Sequence, residues 1–212
     1  LFSLKEIGAE ISEKDNKMLF WTMFLGCIIG YGLSVLWMKL PIWIFVLIVL
    51  GTILQTFGAV RLYGLVKANW GKLVVNWSPM QRFALLFAGF AFMVKLALQL
   101  GSNIPQINQF AFGFRNIVIA YLHLVLLMCI STFLVSQILA TNYFQIKKTL
   151  LLGLKLFLIG VFLNEAILGL MGIFSIQYIS VPYSAYGLFL VSVLMMVAVL
   201  IMFFTLNKKE IS

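Results

Sequence analysis

Residues 183–206 read YSAYGLFLVSVLMMVAVLIMFFTL and contain no charged side chain. An α-helix of about 20 apolar residues is long enough to cross the ~30 Å hydrocarbon core of a bilayer. A water-soluble protein could not cover this much apolar surface with polar groups. The segment therefore predicts a membrane-spanning helix, and the remainder of the chain contains further segments of the same kind.

The composition of the whole chain agrees with this interpretation. Of 212 residues, 63% are hydrophobic and 10% are charged, whereas soluble domains carry about 25% charged residues. The apolar blocks are continuous rather than alternating, which excludes a β-barrel, and helices satisfy their own backbone hydrogen bonds in lipid. We predict an all-α membrane protein, a six-helix bundle with spans at residues 18–38, 41–60, 80–100, 116–140, 149–174 and 183–206.

The distribution of basic residues predicts the orientation of these spans. With six spans, eleven basic residues fall on one side of the membrane: Lys5, Lys14, Lys17, Arg61, Lys67, Lys72, Arg82, Lys147, Lys148, Lys208 and Lys209. The connections on the other side contain Lys39 and Arg115. Because Lys and Arg are enriched in cytoplasmic loops, we expect both termini in the cytoplasm and the protein in the plasma (inner) membrane.

The predicted domain organisation is correspondingly simple. Residues 1–17 form a charged cytoplasmic segment, residues 18–206 form the membrane domain, and residues 207–212 form a cytoplasmic tail. The first residue is leucine and not methionine, so the native chain could begin before Leu1. No cleavable signal peptide is recognisable in the first seventeen residues, which are charged rather than apolar.

Three ionisable side chains are predicted to lie deep inside spans, namely Lys95, His123 and Glu165. At 1.5 Å per residue, Lys95 lies ~21 Å and Glu165 ~24 Å from the cytoplasmic starts of their spans. His123 lies ~10 Å below the outer end of span four. All three then occupy one layer in the outer half of the bilayer. A Lys95–Glu165 pair there would offset much of the cost of inserting both charges.

Other polar residues extend this predicted layer. Gln99 follows Lys95 by four residues and shares its helix face, and Arg115 lies at the outer mouth of span four. A second tier comprises Asn116 and Gln137, whose spacing from His123 makes a polar stripe along span four, and Asn164. We expect Asn164 to point about 100° away from its neighbour Glu165, as consecutive residues of a helix do.

These residues predict a polar cavity open to the outer side, which binds or conducts a small polar or anionic solute or protons. Lys95, Gln99, Arg115, His123 and Glu165 would line it. A structural alternative makes Lys95 and Glu165 an interhelical staple. A functional alternative makes the chain a non-catalytic subunit or scaffold of a larger membrane complex, such as a haem-bearing respiratory assembly. The bilayer is the expected partner, with a membrane protein or a second copy as further candidates.

Several other functions lack support in the sequence. We predict no cofactor: His123 could ligate haem, but bis-histidine ligation needs a second histidine, which this chain lacks. Cys27 and Cys129 fall inside apolar spans and indicate neither a disulfide framework nor a metal site. The sequence has no phosphate-binding loop and no recognisable catalytic motif. Nucleic-acid binding is not expected despite the net charge of +9, because the basic residues follow helix ends.

Small residues predict where helices approach each other closely. Gly26, Gly30 and Ser34 recur every four residues in span one, which is typical of tight contacts between membrane helices. Gly51, Gln55 and Gly58 form a similar face on span two. Ser78 followed by Pro79 is typical of a helix N-terminus, and residues 101–103, Gly-Ser-Asn, are typical of a helix end.

Overall fold

A computed structural model describes residues 13–35, 41–75, 77–140 and 145–206 of the chain. These ranges are helical, with short turns between helices and no strand. Most of the predicted N-terminal segment, the hairpin residues Lys39 and Leu40, and the tail of residues 207–212 lie outside the described residues.

The helix boundaries lie within two residues of the predicted spans three to six, and the helix of span two ends at Ala68, eight residues beyond its predicted end. A 3₁₀ turn, Tyr31–Val35, follows the first helix, and a π-helix, Leu124–Ser131, interrupts the predicted span four. In chain order the α-helices are α1 Glu13–Gly30, α2 Ile42–Ala68, α3 Trp70–Leu73, α4 Pro79–Gly101, α5 Pro105–Gly113, α6 Arg115–His123, α7 Thr132–Ala140, α8 Lys148–Ile176 and α9 Ser184–Thr205.

Five helical segments of the described residues are long and apolar enough to cross a membrane: Ile42–Ala68, Pro79–Gly101, Arg115–Ala140, Lys148–Ile176 and Ser184–Thr205. The chain is therefore a multi-pass integral membrane protein. Helix α1 is not among the five, because its eighteen residues include the charged Glu13, Lys14, Asp15 and Lys17. The sixth span and the orientation of the termini stay predictions.

Large apolar side chains cover the outside of these helices. Phe203 and Phe204 at the end of α9 are 68% and 76% exposed, and similar exposed residues occur along α2, α4 and α8. In water this surface would drive aggregation, whereas lipid chains are as apolar as these side chains. The exposed surface is thus suited to contact with the bilayer.

The chain divides into two compact units. The first comprises Leu1–Asn76 and Leu96–Phe110, and the second comprises Trp77–Lys95 and Ala111–Ser212. The first unit is built on packing between α1 and α2. Glycines allow this contact: a Cβ on Gly26 would meet the backbone nitrogen of Gln55 at 2.8 Å, and one on Gly51 would meet the side chain of Ile29 at 2.5 Å. The predicted glycine faces of spans one and two are therefore confirmed for these residues.

The second unit has its core between α8 and α9, together with residues of α4 and the π-helix. Leu150, Leu154 and Val161 of α8 are completely buried. Glycines again allow close approach, since a Cβ on Gly160 would lie 2.5 Å from the side chain of Met195 in α9. Helix α8 also packs against α6, and this second contact determines where the polar residues of the unit meet.

The start of α4 confirms the predicted N-terminus. The backbone N–H of Ser78 donates to Gln81 Oε1 at 2.7 Å, and the backbone N–H of Gln81 donates to Ser78 Oγ at 3.3 Å. This reciprocal arrangement is a capping box. The same Gln81 side chain donates through Nε2 to the carbonyl of Leu139 at 2.6 Å, so the cap also connects α4 to the end of α7.

Candidate functional site

His123 and Glu165 lie near each other in the second unit. His123 is the last residue of α6, and Glu165 lies in α8, which packs against α6. The imidazole is within electrostatic range of the carboxylate. Among the described contacts, the two side chains make no direct hydrogen bond or ion pair, and the packing of α6 on α8 holds them within electrostatic range of each other.

The hydrogen bond of His123 defines the state of its ring. Nδ1 lies 2.9 Å from the backbone carbonyl oxygen of Ile119, one turn earlier in α6. A carbonyl oxygen only accepts hydrogen bonds, so Nδ1 must carry the proton. In a neutral ring the lone pair is then on Nε2, which can accept a proton or bind a ligand. The side chain is exposed, so this nitrogen is presented at the surface of the helix.

Asn164 contributes to the surroundings of Glu165. Its side chain is 6% exposed, and its Nδ2 donates to Glu165 Oε1 at 3.4 Å. The two residues are consecutive in α8, and this hydrogen bond joins their side-chain ends although their positions on the helix are about 100° apart. Glu165 is itself only partly buried. Its carboxylate thus has a neutral amide donor on one side and a titratable ring nearby.

A second polar connection joins α6 and α8 near the start of α6. Asn116 Nδ2 donates to Ser175 Oγ at 2.6 Å, and Ser175 Oγ donates to the carbonyl of Met171 at 2.6 Å. Sequence reasoning selected Asn116 but missed Ser175, because a serine at the end of an apolar helix is not distinctive. The two helices therefore share polar contacts at Asn116–Ser175 as well as the neighbouring pair His123 and Glu165.

The π-helix directly after His123 was not predicted. The hydroxyls of Ser131 and Thr132 donate to carbonyls five residues earlier, those of Leu126 at 2.8 Å and Leu127 at 3.3 Å. This spacing matches the i→i+5 hydrogen bonds of a π-helix, which are rare and often found at functional sites. The stripe predicted to run from His123 to Gln137 assumed an uninterrupted α-helix. The wider turns of the π-helix lie between the two residues, and the alignment of Gln137 with His123 stays a prediction.

Lys95 lies beside the π-helix. Its ammonium interacts electrostatically with Cys129, six residues after His123. Glu165 accepts a hydrogen bond from Asn164 and lies within electrostatic range of His123, and the Lys95–Glu165 pair stays a prediction. Sequence reasoning also missed Lys155, an exposed lysine seven residues into α8. At ~10 Å from the start of that helix, its long side chain can extend toward the headgroups nearest that end.

The remaining predicted residues lie at more distant positions. Arg115 is the first residue of α6 and is exposed, and Gln137 is half-buried in α7. Gln99 is 4% exposed and belongs to the first unit. In that unit, a Cβ added to Gly30 would lie 2.9 Å from Gln99 Nε2 and 3.7 Å from Gln55 Oε1. The two glutamine side chains therefore both lie beside Gly30. A cavity that Arg115, Gln137 and Gln99 share with His123 and Glu165 stays a prediction.

Gln99 is part of a polar group that sequence reasoning did not assemble. We define the amide cluster as Thr52, Gln55, Gln99, Asn103 and Asn108, all in the first unit. Asn103 Nδ2 donates to Thr52 Oγ1 at 2.7 Å, and Asn108 Nδ2 donates to the carbonyl of Ser102 at 3.1 Å. The predicted outer connection of residues 102–115 is therefore not an irregular loop. It contains helix α5, and Asn108 lies in that helix.

Within the described ranges, no three His, Cys, Asp or Glu side chains gather in a way that could hold a metal ion. The described helices, their length and their apolar surfaces define the class of this protein as α-helical and multi-pass. Comparison with protein-family models, curated proteins and solved structures finds no match to the chain. The function therefore has to be argued from the residues themselves.

Proposed function

We propose that this membrane protein binds or conducts protons or a small polar or anionic solute, through a polar cavity that opens on the outer side. The observation that carries the proposal is the closeness of His123 and Glu165 on two packed, otherwise apolar helices. Ionisable residues are rare in membrane helices and are usually functional, because a charge there costs at least ~2.5–3.5 kcal/mol.

The chemistry of the two side chains supports a proton site. Protonated His123 and ionised Glu165 make an ion pair, while neutral His123 and protonated Glu165 make an uncharged pair. If one proton moves between the two side chains, the total charge of the pair does not change. If one proton enters or leaves the pair, its charge changes by one unit. Asn164 can donate to the ionised carboxylate, so the group can be stabilised in more than one protonation state.

In this proposal, Lys95 and Arg115 supply positive charge along the path to the outer side, and this charge would favour an anionic solute. Gln99, Asn116 and Gln137 supply neutral hydrogen-bonding groups. A purely structural staple would keep one protonation state over the whole pH range in which the protein is folded. A proton or solute site would change its state within that range, and this difference can be measured.

His123 allows an unambiguous test because it is the only histidine of the chain. We expect selective ¹⁵N-histidine labelling of the protein in lipid to show one ring that is protonated at Nδ1 in its neutral form. Glu165→Gln should change the nitrogen chemical shifts of this ring, because the substitution removes the neighbouring charge. An Nε2-protonated neutral ring, or a ring unaffected by Glu165→Gln, would contradict the pair. Asn69→Ala, at the end of α2, is the control.

One observation favours a second candidate, a subunit of a larger haem-bearing membrane complex. His123 is exposed, and its Nδ1–H is bound to a backbone carbonyl, as in most ligating histidines. If a partner or a methionine supplied the other ligand, protein isolated from its native membrane should have a Soret absorption band. We expect His123→Ala to lose that band and Lys155→Ala to keep it. Isolation without any haem absorption would remove this candidate.

A further inference from the structure

The amide cluster contains two buried oxygen atoms that lack hydrogen-bond partners. They are Asn103 Oδ1 and Asn108 Oδ1, and the Asn108 side chain is 2% exposed. Buried polar atoms are nearly always satisfied, so an orphaned atom needs an explanation. Two such acceptors in one short segment indicate a missing donor or a missing positive charge.

The orientations of both amides follow from their hydrogen bonds. Asn108 Nδ2 contacts the carbonyl of Ser102, which only accepts hydrogen bonds. Asn103 Nδ2 contacts Thr52 Oγ1, whose own proton is donated to the carbonyl of Val49 at 2.8 Å. Thr52 must therefore accept from Asn103. Exchanging oxygen and nitrogen in either amide would break a hydrogen bond, so both unpartnered atoms are oxygens.

These oxygens lie at a helix break that packs against the apolar helix α2. Asn103 contacts Thr52, which is ten residues, or ~15 Å, into α2. Helix α4 ends at Gly101 and α5 begins at Pro105. Non-helical backbone beside apolar helices is tolerated where it is buried in protein or lines a polar cavity. The turn between α4 and α5 meets this condition, because the side chains of Asn103 and Asn108 hydrogen-bond to Thr52 and Ser102.

The polar atoms offered at the break favour a cation. The helix dipoles do not decide, since the negative end of α4 and the positive end of α5 meet at this turn, but the two unpartnered atoms are both acceptor oxygens. No charged residue occurs in residues 96–114 or in residues 42–60. Divalent Ca²⁺ and Mg²⁺ are normally held with carboxylates, which these segments lack. Neutral oxygens at broken helices and in carbonyl rings are instead suited to Na⁺ or K⁺.

We propose that the α4–α5 break is a binding site for a monovalent alkali cation, with Asn103 Oδ1 and Asn108 Oδ1 as ligands. Thr52 positions Asn103, and Gln55 and Gln99 provide a buried, uncharged polar wall. This site belongs to the first unit and uses neither His123 nor Glu165. A multi-pass protein with such a site would use the cation either for stability or for coupling to solute movement.

The test uses the full chain purified in detergent, with thermal unfolding measured in NaCl, KCl or N-methylglucamine chloride at equal ionic strength. We expect a saturable rise in Tm with Na⁺ or K⁺ that N-methylglucamine does not produce. Asn103→Ala and Asn108→Ala should abolish the rise, and the control Asn69→Ala should keep it. Bound ²²Na⁺ on the protein, competed by the preferred alkali ion, measures the same site directly.

A conservative variant covers the case in which the alanine variants do not fold. Asn103→Asp keeps an oxygen in place and adds a negative charge, and the hydroxyl of Thr52 can donate to the new carboxylate, so this variant should bind the cation about tenfold or more tightly, since ligand charge tunes affinity. Equal unfolding curves in all three salts would overturn the proposal and assign the oxygens to bound water. A cation effect that survives in both Asn103→Ala and Asn108→Ala would overturn it as well.

Discussion

Replacing Glu165 by glutamine is expected to reduce proton or solute movement at least tenfold. The substitution keeps the size of the side chain and leaves an acceptor for Asn164, but it removes the charge and the exchangeable proton. A tenfold change corresponds to ~1.4 kcal/mol, which is small beside the cost of a charge at this depth. The measurement is acidification of liposomes that contain the protein, driven by a potassium diffusion potential and followed with a trapped pH-sensitive dye.

The control for this experiment lies in the same helix. Lys155→Gln also replaces a charged side chain by glutamine in α8, ten residues away, but Lys155 is exposed and outside the polar group. We expect it to leave the flux unchanged. His123→Gln should reproduce the loss seen with Glu165→Gln, and the double variant should be no worse than either single one. Full flux in Glu165→Gln would exclude the carboxylate from the path and leave a structural role for the pair.

Much of the fold could be predicted from the sequence, because lipid imposes a simple rule on it. Continuous apolar segments must be helical in a bilayer, so the bounds of the later spans were predicted within one or two residues at most ends. The start of the first helix was not predicted. Helix α1 begins at Glu13, inside the charged segment, whereas hydropathy alone placed the start of span one at residue 18. The unpredicted elements, α5 and the π-helix, are local departures from regular geometry in segments whose composition does not differ from their surroundings.

The candidate site was predicted less completely than the fold. His123 and Glu165 could be selected because ionisable residues in apolar helices are few, and depth along the helix is simple arithmetic. The contacts of Asn164, Ser175 and Asn103 could not be derived, because they depend on helix rotation and on one local break. Rotation is determined by packing of many small and large side chains at once, and single-sequence periodicity does not specify it.

Replacing Gly26 by leucine is expected to destabilise the protein by about 3 kcal/mol, the upper part of the range for overpacked cores. A Cβ at this position would lie 2.8 Å from the backbone nitrogen and 2.9 Å from the Cα of Gln55. Backbone atoms cannot move away by changing rotamer, so α1 and α2 would have to separate. Since Gln55 belongs to the amide cluster, the same change should weaken the alkali-cation effect on Tm.

Gly64→Leu in α2 provides the matched control. Nothing lies within 4 Å of a Cβ at Gly64, and glycine is the poorer helix former by roughly 0.8–1 kcal/mol relative to the best residue. The control should therefore be neutral or slightly stabilising, which is opposite in sign to Gly26→Leu. Unfolding in mixed micelles with increasing dodecyl sulfate measures both. Equal stabilities for the two variants would mean that α1 and α2 do not pack closely at Gly26. In that case, the close contact that positions Gln55 in the amide cluster would not exist.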